Sequence, residues 1–148
     1  MLKKLALPIC LLPLLSACGD PPETRAGQPV THRQAAFREL LKTSEPMGLM
    51  LRANRYDPTE FKRLADQLMS QRDAPWAYFE ADTLYAPSKA KAEVWSEPEK
   101  FAERKKALFD ATEQISAAAA SGNKEQVALA YKALDHACVS CHDTFKRK

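Results

Sequence analysis

The chain has 148 residues, of which 45% are hydrophobic and 28% are charged, and its formal net charge is +3. This balance is ordinary for a soluble globular protein, and the length suits one domain rather than two. The mild charge, with no basic cluster interleaved with aromatic residues, gives no reason to expect a nucleic-acid partner. Only four glycines occur, and alanine is abundant, so the composition favours helices over strands.

Residues 1–17 are predicted to be an export signal that takes no part in the fold. Lys3 and Lys4 precede a short apolar run over residues 5–15. This run is too short to span a bilayer and is interrupted by two prolines, so it is typical of a signal peptide. We therefore expect the mature protein in the periplasm.

The end of this signal predicts lipidation of Cys18. Residues 15–18 (Leu-Ser-Ala-Cys) resemble the bacterial lipobox, in which the peptide is cleaved before the cysteine and the thiol carries a diacylglycerol. An ordinary signal peptide cleaved after Ala17 is the alternative. Gly19 is not the aspartate that typically retains such lipoproteins in the inner membrane, although Asp20 follows it. By this resemblance we expect a lipid anchor in the outer membrane rather than the inner one.

Residues 18–30 are predicted to be the lipidated cysteine and a flexible tether. The stretch after Cys18 is polar and contains three prolines and two glycines, a composition that cannot bury a core. The folded domain is therefore expected over residues 31–148, a length within the usual range for one domain.

Two helices are predicted in the first half of this domain. The first runs from about Thr31 to Arg52, and Pro46 must either kink it or end its first part. The second begins at Asp57-Pro58, with Glu60 three residues after the aspartate. Their apolar stripes are Ala36, Phe37, Leu40, Leu41 and Met50 in the first helix, and Phe61, Leu64, Ala65, Leu68 and Met69 in the second.

Two more helices are predicted after a long connection over residues 73–95. The third has start signals at residues 96–99 and ends at Gly122, and the fourth begins near Asn123, with Gln126 in a capping-box-like position. Two helical pairs joined by one long loop predict an all-α, antiparallel four-helix bundle. The seams of these two helices are Phe101, Lys105, Leu108, Thr112, Ile115 and Ala119, then Val127, Tyr131, Leu134, Cys138, Cys141 and Phe145.

The fourth helix carries the motif Cys-x-x-Cys-His, formed by Cys138, Cys141 and His142. Residues three apart lie on one helix face, so both thiols can reach the two vinyl groups at a haem edge. The imidazole that follows can turn beneath the ring and bind the iron. A thioredoxin-like redox pair needs a βαβ context, which this region lacks. The motif therefore predicts one covalent haem c with His142 as its iron ligand.

With this motif near the C-terminus of a predicted bundle, the chain resembles the class II c-type cytochromes, and most closely the cytochrome c-prime family. His32 and Ala92 depart from the family's usual tyrosine and proline, and a lipoprotein leader is unusual in it. Four blocks occur in the family's order: residues 32–37 (His-Arg-Gln-Ala-Ala-Phe), 74–79 (Ala-Pro-Trp-Ala-Tyr-Phe), 92–95 (Ala-Glu-Val-Trp) and 138–147 (Cys-Val-Ser-Cys-His-Asp-Thr-Phe-Lys-Arg).

The resemblance implies which iron chemistry to expect. In this family the residue four after the opening arginine faces the distal side of the haem. A methionine there gives a six-coordinate, low-spin electron carrier, whereas a bulky apolar residue leaves the iron five-coordinate. That residue is Phe37 here, which cannot bind iron and offers no hydrogen-bond donor to oxygen. The resemblance therefore implies a haem protein that binds NO or CO, exchanges single electrons, or does both.

A six-coordinate, membrane-tethered electron-transfer cytochrome is the alternative function. No distal histidine or arginine constellation suited to a peroxidase is visible, so no enzyme activity is expected, and the sequence names no redox partner. Met47 and Met50 lie about 15 to 20 Å beyond Phe37 along a helix, so they are expected in the core or a dimer contact. His136 is expected to be a solvated surface residue. His32 is expected either at the surface or near the haem propionates.

The resemblance also implies further contacts with the haem and with a second chain. Arg33 and Gln34 match family residues that contact the haem propionates, for which an arginine can make charge-assisted bonds. Lys146 matches a basic residue that lies on the proximal side of the haem, near the histidine, in this family. The helix macrodipole also favours a cation at a helix C-terminus, and this second explanation fits Lys146 equally well. The family usually forms homodimers through its first two helices. A homodimer is therefore expected. The residues that could supply its surface are Pro46, Met47, Leu49 and Leu51, although the core of the monomer could bury them instead.

Overall fold

A computed structural model describes residues 22–148. The predicted export signal, Cys18 and the first residues of the predicted tether lie outside these described residues. Four long helices dominate: α1 (Pro29–Arg52), α2 (Pro58–Gln71), α4 (Pro98–Ser121) and α5 (Lys124–Phe145). A 3₁₀ turn (Trp76–Tyr78) and the short helix α3 (Glu93–Ser96) lie in the connection between α2 and α4.

The four long helices form the all-α bundle that the sequence predicts. α1 packs along α2, α2 along α4, and α4 along α5. No strand forms within residues 22–148, where a single antiparallel bridge joins Ala90 to Lys146. None of the helices in this part of the chain is long and apolar enough to cross a bilayer.

Local signals in the sequence fix several helix ends. The Asp57 carboxylate accepts hydrogen bonds from the backbone N–H groups of Thr59 and Glu60 at 2.9 and 3.1 Å, which satisfies two of the first N–H groups of α2. The Asn123 side chain caps α5 in the same way. Gly122 ends α4 with a positive φ of 67°, a conformation that costs a glycine little. These boundaries are as predicted.

The main core lies between the four long helices, and most residues of the predicted apolar stripes supply it. Leu41 is an exception, because its side chain is 54% exposed and its place on the inward stripe of α1 was wrongly predicted. Burial of a large aliphatic or aromatic side chain contributes on the order of 2 kcal/mol. The side chains of this core that are at most 2% exposed are Met47, Phe61, Ala65, Leu68, Ile115, Val127 and Leu134.

α1 does not end at Pro46 but continues through it to Arg52. The residues that follow are held by neighbouring helices, which offsets the lost backbone hydrogen bond. Met47 is fully buried. Gly48 lies directly under Tyr131 of α5, whose hydroxyl donates to the Ser44 carbonyl at 3.3 Å.

The segment expected to be a flexible tether is anchored to the domain at Glu23 and at residues 29 and 30, whereas residues 24–28 are exposed; the ordered part of the chain thus begins before the boundary predicted at residue 31. Glu23 is 5% exposed and Val30 is fully buried. The Glu23 carboxylate accepts hydrogen bonds from the N–H groups of Val30 and Thr31 at 3.1 and 2.7 Å. An acidic side chain therefore satisfies the N-terminus of α1 from outside the helix, so residues 23–30 belong to the folded domain.

Candidate haem-binding site

Cys138 and Cys141 lie on one face of α5 as half-buried, free thiols. Cys138 packs against the main core, and Cys141 packs against a smaller apolar cluster near Phe145. Burial, with the charge of Asp135 and the other thiol, raises the pKa of Cys138 to about 11. Burial also raises the pKa of Cys141, although Arg104 opposes it. Redox-active pairs instead have lowered thiol pKa values, so these neutral thiols do not fit thioredoxin-like chemistry.

His142 follows Cys141 near the C-terminal end of α5. The residue is exposed by surface area, yet partial desolvation of its ring lowers its pKa, and the positive charge of Lys146 lowers it further against the effect of Asp143. The neutral imidazole is the form that binds iron. The surroundings of this side chain therefore favour the protonation state that a ligand needs.

Phe37 of α1 faces His142 across the bundle. The centroids of the two rings are 6.4 Å apart, and their planes are inclined by 72°. Phe37 also makes edge contacts with Trp76 and Phe79, at centroid distances of 5.7 and 6.2 Å. Phe37, the predicted distal residue, and His142, the predicted iron ligand, thus come together from opposite halves of the chain.

Beyond Phe37, four aromatic rings form a continuous surface, which we call the aromatic wall: Trp76, Phe79, Phe101 and Phe145. Phe79 contacts Phe101 at 4.8 Å, Phe101 contacts Phe145 at 5.2 Å, and Trp76 stacks on Phe79 at 6.0 Å. An apolar wall of this kind suits the flat face of a porphyrin. Sequence reasoning gave none of these four residues a role at the site.

Arg33 and Gln34 both hold the long connection. The two terminal nitrogens of Arg33 donate to the Tyr78 carbonyl, both oxygens of Thr83 and the Ser88 hydroxyl, at 2.9 to 3.3 Å. Arg33 is 4% exposed. The Gln34 amide donates to the Pro87 carbonyl at 3.0 Å. Contact of either residue with a propionate stays a prediction.

Lys146 ends α5 and lies close enough to His142 for its charge to act on the imidazole. Its N–H donates to the His142 carbonyl at 2.9 Å, and its backbone forms the antiparallel bridge with Ala90. Hydrogen bonds from Lys91 to the Phe145 carbonyl and from Arg147 to the Lys89 carbonyl flank this bridge. The end of α5 is thereby fixed against the connection.

The other candidate ligands lie where the sequence predicts them. Met47 is in the main core, and the half-buried Met50 packs against it. His32 is exposed and stacks on Tyr78 with ring centroids 5.3 Å apart. His136 is exposed. His142 is therefore the histidine whose ring contacts Phe37, and Phe37 in turn contacts Trp76 and Phe79 of the aromatic wall.

The donor set fits a covalent haem. Two thiols and one imidazole follow each other on α5, beside an apolar aromatic surface. Within residues 22–148, no group of three or more His, Cys, Asp or Glu side chains could hold a bare metal ion. A porphyrin brings four nitrogen ligands of its own, so a single protein imidazole is sufficient.

Comparison with known proteins agrees with this arrangement. The family model described as Cytochrome C' matches residues 28–146. The chain belongs to the cytochrome c' family. It is 29% identical over 120 residues to the cytochrome c' of Alcaligenes xylosoxydans xylosoxydans, an alignment that covers 80% of this chain and 93% of that protein.

Solved cytochrome c' structures also superpose on this fold. The cytochrome c' of Rubrivivax gelatinosus has a TM-score of 0.78 at 23% identity and covers 85% of this chain and 100% of its own. A ferrous variant of the Alcaligenes xylosoxidans cytochrome c prime with bound NO has a TM-score of 0.78 at 26% identity, covering 86% and 99%. The predicted four-helix bundle and covalent c-type haem are confirmed by membership of the cytochrome c' family.

Proposed function

We propose that this cytochrome c' has an iron with one protein ligand, His142, and binds NO or CO on the face that Phe37 covers. The observation that carries the proposal is the approach of the Phe37 ring to within 6.4 Å of the His142 ring. A phenyl ring donates no hydrogen bond and no lone pair, so Phe37 cannot itself be the sixth ligand of the iron. A ferrous variant of a 26% identical relative with bound NO supports this ligand class.

Each residue then has a distinct task. Bound haem supplies a ferrous iron that can bind diatomic gases and exchange one electron. Cys138 and Cys141 hold the macrocycle to α5, and His142 presents a neutral imidazole. Phe37 excludes water from the opposite side, because it offers water no polar partner, and the aromatic wall keeps the surroundings of the macrocycle apolar. A small uncharged gas enters when the Phe37 ring moves.

Replacement of Phe37 with alanine tests this proposal. Phe37→Ala removes the ring but leaves Cys138, Cys141 and His142 in place, so CO association measured by flash photolysis should be faster than in wild type. CO affinity should rise too, because the ligand no longer spends binding free energy on displacing the ring. Equal association rates within error would mean that Phe37 does not cover the iron. Phe37→Met serves as a second variant, since it offers a thioether and should shift the spectrum towards low spin.

Electron exchange is the accompanying role that we propose. The six-coordinate alternative requires a second protein ligand, and the methionines closest in sequence to Phe37 lie in or against the main core. The CO measurement therefore also separates the two functions, because a ligand already bound to iron must leave before CO can bind.

We also propose a periplasmic protein anchored by lipid at Cys18, in the outer membrane rather than the inner one. The basis is the lipobox-like sequence before Cys18. With Cys18→Ala, the holoprotein should move from the membrane fraction to the soluble fraction after cell disruption without detergent. A wild type that is already soluble would contradict the anchor.

A homodimer through α1 and α2 is our remaining proposal of this kind. Met47, one of the residues considered for the contact, is buried in the monomer, whereas Leu41 and Leu49 of α1 are 54% and 58% exposed. Sedimentation of the Cys18→Ala holoprotein at micromolar concentration should give a dimer, and a monomer would contradict it.

A further inference from the structure

The segment before α1 is fastened to the long connection at a buried carboxylate. The Tyr85 hydroxyl donates to Glu23 Oε1, the oxygen that also accepts from the Val30 N–H, while Oε2 accepts from the Thr31 N–H. A second contact lies beside it, where the Arg25 guanidinium covers the Tyr85 ring at 5.7 Å. One carboxylate thus joins the pre-helix segment, the first turn of α1 and a residue 62 positions away.

Arg33, one turn further along α1, fastens the same connection from the inside. Its terminal N–H groups donate hydrogen bonds to Tyr78, Thr83 and Ser88. Its guanidinium lies 4.5 Å from the centroid of the Phe79 ring. A buried cation needs a compensating charge. Glu23 supplies it, because its charge favours the protonated form of Arg33 against the desolvation that lowers the pKa of this guanidinium.

The fastened connection carries part of the aromatic wall. Trp76 and Phe79 both belong to it, and both rings contact Phe37. The position of Phe37 is therefore set from two sides, by its own helix and by a connection that has little regular structure and would otherwise retain conformational freedom. Glu23 and Tyr85 hold the outer end of that connection.

We propose that Glu23 and Tyr85 are positioning residues for gas binding: their hydrogen bond holds residues 76–88 in place, so that Phe79 and Trp76 keep the Phe37 ring opposite His142. This inference rests on the proposed role of Phe37. It makes the segment next to the lipid anchor part of the control of ligand entry. Loosening of the bond lets Phe37 move aside more readily, so CO should associate faster.

The test uses two holoprotein variants with matched controls. Tyr85→Phe removes only the hydroxyl, and Glu23→Gln removes the charge and one acceptor. Tyr56→Phe is the control for the first, since the Tyr56 hydroxyl has no hydrogen-bond partner within the described residues. Glu39→Gln is the control for the second, because this glutamate is exposed on α1 and pairs with Lys42. CO association is measured on wild type and on all four variants under conditions where each is folded.

We expect at least a threefold faster CO association in Tyr85→Phe and a larger increase in Glu23→Gln, with the controls at the wild-type rate. Backbone amide exchange of residues 76–88, followed by mass spectrometry, should be about tenfold faster in both variants. A fall in unfolding free energy with unchanged CO association would show that Glu23 only caps α1, and would overturn the inference.

Phe37→Ala, measured beside them, keeps the two claims apart. If Phe37→Ala accelerates CO association and Tyr85→Phe does not, the positioning role fails while the proposed function stands. If Phe37→Ala has no effect, the proposed function fails, and the positioning role fails with it even if amide exchange shows that Glu23 fastens the connection.

Discussion

Gly48 offers a stability test whose sign can be worked out from the structure. A Cβ atom at this position would lie 2.7 Å from Cζ of Tyr131, closer still to its hydroxyl oxygen, and 2.8 Å from Nη1 of Arg52. The arginine end can swing away, but the tyrosine ring is held between α1 and α5. Overpacking of this severity costs about 3 kcal/mol, while alanine gains about 1 kcal/mol over glycine in a helix. Gly48→Ala should therefore lower the free energy of unfolding by about 2 kcal/mol net.

The assay is denaturant and thermal unfolding of the holoprotein, both followed by circular dichroism, in two backgrounds. In wild type, Gly48→Ala should destabilise and lower the Tm by roughly 8 °C for a domain of this size. In a Tyr131→Ala background the clash is gone, so the same substitution should stabilise by about 1 kcal/mol through helix propensity alone. The same sign in both backgrounds would refute the close packing of α1 on α5 at this point.

Three further results are expected. Burial raises the pKa of Glu23, but hydrogen bonds from Tyr85 and the first turn of α1 outweigh this effect and lower the pKa from 4.5 to about 2. The contribution of Glu23 to the unfolding free energy is therefore complete above pH 4.5 and is lost as the pH falls towards 2. Urea unfolding at a series of pH values should show this loss in wild type and not in Glu23→Gln. Cys138→Ser or Cys141→Ser should remove the haem-stained band from a denaturing gel, and unchanged staining in both would contradict thioether attachment. His142→Ala should keep the thioethers but shift the absorption spectrum markedly, and an unchanged spectrum would mean that another residue binds the iron.

The parts of the fold that depend on neighbouring residues could be predicted from the sequence. The Asp57 and Asn123 caps, the left-handed Gly122 and the apolar stripes of the four long helices each act within a few residues along the chain. The haem motif is equally local, since one helical turn brings Cys138, Cys141 and His142 together. For these features, propensity and packing favour the same structure.

The parts that depend on distant partners could not be predicted. Glu23 belongs by composition to a polar, proline-containing stretch, and its burial depends in part on a hydrogen bond from Tyr85, 62 residues later. The hydrogen bonds of Arg33 to Thr83 and Ser88 span 50 and 55 residues, so no local pattern indicated them, and contact of Arg33 with a propionate stays a prediction. The aromatic wall draws Phe79, Phe101 and Phe145 from three separate segments, and no spacing in the sequence relates them.

The absorption spectrum of the reduced protein, recorded before and after addition of CO, tests most directly whether the iron has one protein ligand. With His142 as the only one and Phe37 over the other face, the ferrous haem should be high-spin and should take up CO with a clear spectral change. Sharp low-spin bands that CO leaves unaltered would mean that a second side chain binds the iron, and that the protein is a plain electron carrier.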